Sequence, residues 1–269
     1  YMIEHGGELT EIYLSDMVRV PYLNYLVIFF VVFLILIGRI QGIKSLVALG
    51  LTIIGVYKIL LPALLKGMSP LFITILISLA VTLATMIIVA GLTKKAFAAT
   101  MGTIGGVLVA GLLALIVSKL AYLTGYASEE SRMLLYVDGL NINMQGLLLA
   151  GIIIGALGAT MDVAISIASS IEEIRKANPE LPMPALMRAG LNVGRDIMGT
   201  MTNTLILAYA GGALPLLMLF MAYATPSVSI FNSELIATEI VRALTGSIGL
   251  IFSVPITAFI ASLLSANRR

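Results

Sequence analysis

Cysteine and tryptophan are absent from this 269-residue chain, and histidine occurs once, as His5. Without cysteine there is no disulfide, no thiolate metal ligand and no thiol nucleophile. A lone histidine near the start cannot form a His-Glu-x-x-His zinc motif or serve an intramembrane serine protease, and no Gly-x-Ser-x-Gly nucleophile elbow or phosphate-binding loop is present. An intramembrane aspartyl protease needs two facing aspartates. Asp162 and Asp196 are the candidates, and Asp196 is expected at the membrane surface. Charge is scarce as well: 11% of residues are Asp, Glu, Lys or Arg, against about 25% in an ordinary soluble domain. The 16 basic and 14 acidic side chains leave a net charge of +2, too weak a field for nucleic acid. No metal, no cofactor, no nucleic-acid partner and no enzyme activity are therefore expected.

Apolar surface takes the place of charge. Hydrophobic residues make up 59% of the chain, and the mean hydropathy is +1.07. These values describe a protein dissolved in lipid. A helix needs about 20 apolar residues to cross a bilayer. Seven stretches approach or exceed that length: Tyr22–Gly38, Ile43–Leu61, Pro70–Leu92, Phe97–Leu123, Leu140–Ile171, Arg195–Ala222 and Val241–Ser265. Lys58 interrupts the second near its outer end, where it can snorkel to the headgroups, and Pro215 interrupts the sixth. The runs are continuous rather than alternating, which excludes a β-barrel. The expected fold is an all-α integral membrane protein, a bundle of about seven transmembrane helices spanning residues 21–269. A short extracytoplasmic segment, residues 1–20, precedes it.

Basic residues in the loops set the orientation. One side carries Arg39, Lys44, Lys94, Lys95, Arg175, Lys176, Arg188, Arg268 and Arg269. The other carries Arg19, Lys66, Lys119, Arg132 and Arg242, diluted by Glu129, Glu130, Asp138, Glu234 and Glu239. The first side reads as cytoplasmic, so the N-terminus is expected outside and the C-terminus inside. Two connections are long. Ala127–Asn143, outside, contains Ser128-Glu129-Glu130, a capped helix start with acid in its first turn. Glu172–Gly194, inside, contains three prolines between Asn178 and Pro184, which break the helix until it restarts near Ala185.

Small residues recur at helical spacing in two spans. Gly102, Gly106 and Gly111 mark the fourth, and Gly151, Gly155 and Gly158 the fifth. Such spacing lets helices approach closely in lipid, so Gly102, Gly106, Gly151, Gly155 and Gly158 read first as packing residues. Asp162 shares the face of Gly151, Gly155 and Gly158, and it is the one acidic side chain deep within a span. An intramembrane carboxyl demands a partner or water. Asn203, Thr202 and the neighbouring threonines stand at matching depth in the next, antiparallel span, with Arg195 and Asp196 at the cytoplasmic mouth. Two readings stay open for this candidate polar site: a proton-accepting carboxylate in a transport cycle, and a structural hydrogen bond between two helices. Glu239 and Arg242, three residues apart at the outer end of the last span, read as an interfacial ion pair or the lining of a vestibule.

Several segments carry a resemblance. Gly155-Ala-Leu-Gly158-Ala-Thr-Met-Asp162 is one, and Gly194-Arg195-Asp196 running through Asn203 and Tyr209 to Pro215 is another. With Leu36-Ile-Gly38-Arg39, Asn232-Ser-Glu234, Glu239-Ile-Val-Arg242 and Gly246-Ser-Ile-Gly249, they resemble the YibE/F family of bacterial multi-pass membrane proteins. The resemblance implies a bacterial inner-membrane location and an extracytoplasmic segment ahead of the helices. It also implies a homo-oligomer or pairing with a second protein of the same type. Members often carry two consecutive acidic residues where this chain has Met161-Asp162, which leaves one carboxylate here. Asp162-Val-Ala-Ile-Ser166 followed by Asn203-Thr-Leu is also similar in layout to half of a proton-driven efflux or secretion-accessory protein. A permease coupled to protons through Asp162 is the expected role. The alternative is a non-transporting scaffold or envelope-assembly factor acting with a sister protein.

Overall fold

The computed structural model describes residues 2–5, 8–12, 18–137 and 142–266. Two short strands, β1 (Met2–His5) and β2 (Glu8–Ile12), pair antiparallel, with Glu4 opposite Leu9. Everything that follows is helical. Contacts group the chain into two units, Tyr1–Val47 and Ala48–Arg269.

In the first unit the leading element is α1 (Val20–Ile54), which extends beyond Val47. It is broken at Arg39, where φ is 49° and ψ is −129°, a conformation that side chains resist and glycine tolerates. The break is sharp. A Cβ on Gly42 would overlap the carbonyl of Leu34, eight residues back and about 12 Å away in a straight helix. The chain therefore doubles back at Arg39, and only glycine at position 42 permits the approach.

The second unit holds the bundle. A π-helical turn (Gly55–Leu60) leads into α2 (Leu61–Leu65), then α3 (Pro70–Ala90), α4 (Lys94–Leu120) and the short α5 (Glu129–Met133). After α5 come α6 (Met144–Ala177), α7 (Met183–Gly212), α8 (Leu214–Ala222), α9 (Ser227–Asn232) and α10 (Glu234–Ala266). Lys58 falls in the π-helical turn, exposed, with its ammonium 5.5 Å from the Tyr57 ring. The helix starts follow local chemistry. Thr93 caps α4 by accepting from the Ala96 amide at 3.2 Å, and Asn143 caps α6 by accepting from Gly146 at 2.9 Å. Proline stands in the first turn of α3, α7 and α8, where its missing N–H costs nothing. For that reason the helix restarts at Met183, with Pro184 in its first turn, two residues before the expected Ala185. Ser128 caps α5 as expected, accepting from Ser131 at 3.2 Å.

Among the described residues five helices are long and apolar enough to cross a membrane, or six if the bent pair α7 and α8 forms one span. That pair bends by 55°, at Ala213, just before Pro215. Two further boundaries differ from expectation. Helix α6 runs on through Glu172–Ala177, and α7 begins twelve residues ahead of Arg195, because polar residues at a bilayer surface do not end a helix. The expected start of the fifth span at Leu140 lies outside the described residues, as do the loop charges Asp138, Arg268 and Arg269.

Helix α10 packs on α4, α6 and α7, α4 also packs on α6, and α3 covers α4 and α6. Small residues make this possible. A Cβ on Gly106 would overlap the Gly249 carbonyl, and one on Gly249 would overlap the Gly106 carbonyl, so α4 and α10 cross backbone to backbone. Gly102 lies equally close to Thr257. Thr103, Thr160, Ser253 and Thr257 are fully buried around these crossings. Several return their hydroxyl to their own helix: Thr103 to the Ala99 carbonyl at 2.8 Å and Thr160 to that of Ala156 at 2.7 Å.

Candidate functional site

Asp162 sits near the middle of α6, about 27 Å from its first residue and about 22 Å from its last. Helix α7 runs antiparallel beside it. Ile171 meets Gly190, Ile167 meets Gly194 and Tyr209 closes on Gly155. This register sets Asp162 level with residues 199–202 and Asn203 about one turn nearer Gly155. Between the two glycine contacts at one end and the Tyr209 contact at the other, Met161, Met198 and Met201 pack against the core, while two glycines turn away from it. Gly158 on α6 and Gly199 on α7 have nothing within 4 Å of where a side chain would begin.

The glycines of the fourth and fifth spans therefore divide. Gly102 and Gly106 in α4 lie hard against Thr257 and the Gly249 carbonyl of α10. Gly151 and Gly158 do not pack: both are exposed and meet no neighbour. Spacing marks the shared face, but which way the face turns depends on how α6 rotates against α4 and α10. Here it is the opposite face, with Ile152, Ile153, Ala156 and Val163, that enters the core. Gly155 makes one close contact, with the Tyr209 hydroxyl.

Asp162 is exposed on this open face. Among the described residues its carboxylate has neither an ion pair nor a hydrogen bond. The neighbours expected around it turn their polarity elsewhere. Ser166 donates to the Asp162 backbone carbonyl at 2.7 Å. Thr200 donates to Ile197 at 2.9 Å, and Thr204 to Thr200 at 2.9 Å. Asn203 is exposed, and the buried hydroxyl of Thr202 has no partner. Arg195 donates to Asn192 at 3.0 Å, and both Arg195 and Asp196 are exposed at the start of this stretch. Thr202 and Asn203 thus stand within about a turn of the Asp162 level, with no hydrogen bond joining Asp162 to either among the described residues.

At the other end of the glycine face lies a pocket of about 190 Å³. Its lining includes Gly151, Ser128, Ser131, Thr238, Glu239 and Arg242. Arg242 donates to Glu239 at 2.9 Å. The guanidinium also faces the Tyr209 ring, 5.9 Å from its centroid, a contact worth about 0.5–2 kcal/mol. Thr238 is 7% exposed, and its hydroxyl has no partner. Tyr209 consequently stands between this pocket and Asp162, held by Gly155 on one helix and Arg242 on another. Nothing in the sequence marks Tyr209 for this position, since all three residues are far apart in the chain and come together only by helix packing.

The family described as YibE/F-like protein matches residues 26–267. The chain belongs to the YibE/F family. No curated protein and no solved structure matches it. The matched region of this YibE/F protein takes in the whole of the bundle, with Asp162, Tyr209 and the Glu239–Arg242 pair inside it. Family membership and several long apolar helices make it a membrane protein.

Proposed function

We propose that this YibE/F protein is a permease of the bacterial inner membrane, coupled to protons through Asp162. In this reading the break at Arg39 divides α1 into two spans and α7 with α8 forms another, so seven helices cross the bilayer. The N-terminus lies outside and the C-terminus inside. The observation that carries the reading is Asp162 itself: an acid halfway along an apolar helix, on an open glycine face, with no side-chain partner among the described residues. A carboxyl in that setting is stabilised by a proton or by water. The pocket at Glu239 and Arg242 serves as the outer vestibule, and Tyr209 as the barrier between it and Asp162.

Reconstituted vesicles under an imposed pH gradient test this, with a pH-sensitive dye reporting proton flux. The native protein is expected to conduct protons above protein-free vesicles, and Asp162→Asn, which keeps the shape of the side chain, to abolish the flux. Equal flux from the two proteins refutes the role of Asp162. A second reading draws on the same open face. Gly151 and Gly158, unfilled, form a surface against which a sister membrane protein could close, making the chain a scaffold. Cross-linking from Gly158→Cys to a second polypeptide, with no proton flux, favours that reading.

A further inference from the structure

At the far end of the bundle from Arg242, where α4 begins and α6 ends, lies a second pocket of about 550 Å³. That is room for a substantial ligand. Lys94, Lys95, Arg175 and Lys176 line it, against the carboxylates of Glu172 and Glu180. Even with the adjoining Glu173 included, positive charge is in excess. Each cation is held by one or two contacts that fix where it stands. Lys94 donates to the Leu264 carbonyl at 2.8 Å. Lys95 lies 3.3 Å from Glu172, and Arg175 donates to Leu181 at 2.8 Å. Lys176 lies 2.7 Å from Glu173 and 3.5 Å from Glu172. An ammonium has three donors and a guanidinium five, so most of the donating capacity around the pocket is unspent. The N-terminus of the 27-residue α4 adds its positive pole to the same space.

We infer that this pocket is a binding site for a phosphate-bearing anion. The basic side chains are prepositioned by the protein and over-supplied with donors, and a phosphate accepts several charge-assisted hydrogen bonds at once. Two sources carry that group, an anionic phospholipid and free phosphate. The flank of the pocket suits the lipid. Leu92, at its rim, is 89% exposed. From Lys94 the exposed side chains of Phe97 and Met101 continue along one face of α4, a track for acyl chains leading away from the headgroup. Basic pockets between membrane helices hold lipid headgroups in this manner. The inference is independent of any transport role for Asp162.

Thermal unfolding of the full chain in neutral detergent tests it. The probes are short-chain phosphatidylglycerol, phosphatidylcholine of the same chains, and sodium phosphate against sodium chloride at equal ionic strength. Phosphatidylglycerol is expected to raise Tm above phosphatidylcholine. Lys94→Gln with Lys176→Gln is expected to weaken that effect by about tenfold or more in midpoint concentration. Lys119→Gln, at the opposite end of α4, is expected to leave it unchanged. Protection by phosphatidylglycerol alone identifies the lipid, and equal protection by sodium phosphate identifies the free anion. If neither anion protects beyond its control, or the double variant responds like the native protein, the site does not exist. Should the double variant fail to fold, Lys176→Gln alone decides by the same comparison, since that side chain is 55% exposed.

Discussion

Gly106 and Gly158 illustrate how differently one residue type behaves within a bundle. The first stands where two backbones touch, and the second faces open space. Gly106→Val should force α4 and α10 apart and remove the cooperative unfolding transition, or lower Tm by well over 10 °C, in detergent-solubilised protein. Gly158→Ala should leave Tm unchanged or raise it slightly, since alanine in a helix is favoured over glycine by about 0.5–1 kcal/mol where nothing obstructs it. Tyr209 permits a sharper test, because the chain has no native cysteine to react. With Asp162→Cys as a reporter, an impermeant thiol reagent added from outside should label slowly. Adding Tyr209→Ala removes the side chain lodged between Gly155 and Arg242, and labelling should accelerate at least about tenfold. Equal rates would show that Tyr209 bars nothing.

Helices were the most legible level, for a physical reason: a run of some twenty apolar residues has few alternatives in lipid. Even the small connection α5 could be read from Ser128-Glu129-Glu130, and its cap carries a pH dependence. Hydrogen bonds from the Glu130 backbone amide and from Ser128 hold the Glu130 carboxyl below its ordinary range. The stabilisation is therefore complete above the ordinary glutamate range and disappears as pH falls through the lowered value. Amide exchange at Ser131–Met133, corrected for intrinsic rates, should lose protection in that acidic window in the native protein, and Glu130→Gln should flatten the response. Less legible were the events inside helices. The turn-back at Arg39 falls in the interval expected between the first two spans, Gly38 to Ile43, but the positive φ is carried by arginine rather than by the neighbouring Gly38 or Gly42. The π-helical turn at Gly55–Leu60 has no composition of its own. Both depend on what packs alongside.

On the scale of the whole molecule, the proposed topology rests on the placement of charge. Single cysteines at Lys66 and Asn178, both exposed, should report opposite sides in intact cells, Lys66→Cys reacting with an impermeant reagent and Asn178→Cys remaining silent until the membrane is opened. Labelling of Asn178→Cys alone would invert the proposed orientation. Asp162 could be singled out from sequence because a lone acid among apolar residues is conspicuous at any rotation of its helix. Its lack of a partner could not, since that depends on which neighbour the face of α6 meets. The positions of Thr238, in the pocket beside Arg242, and of Tyr209, against Gly155 and Arg242, were invisible for the same reason. The crossing of Gly106 with Gly249 extends this dependence into time. Helix α4 leaves the ribosome well over a hundred residues before α10 exists to meet it, so its small-residue groove must wait in the bilayer unfilled. Until α10 is inserted, the nascent bundle has no finished centre, and a chain stopped short of Gly249 would present that groove to any membrane protease or chaperone that recognises unpaired helices.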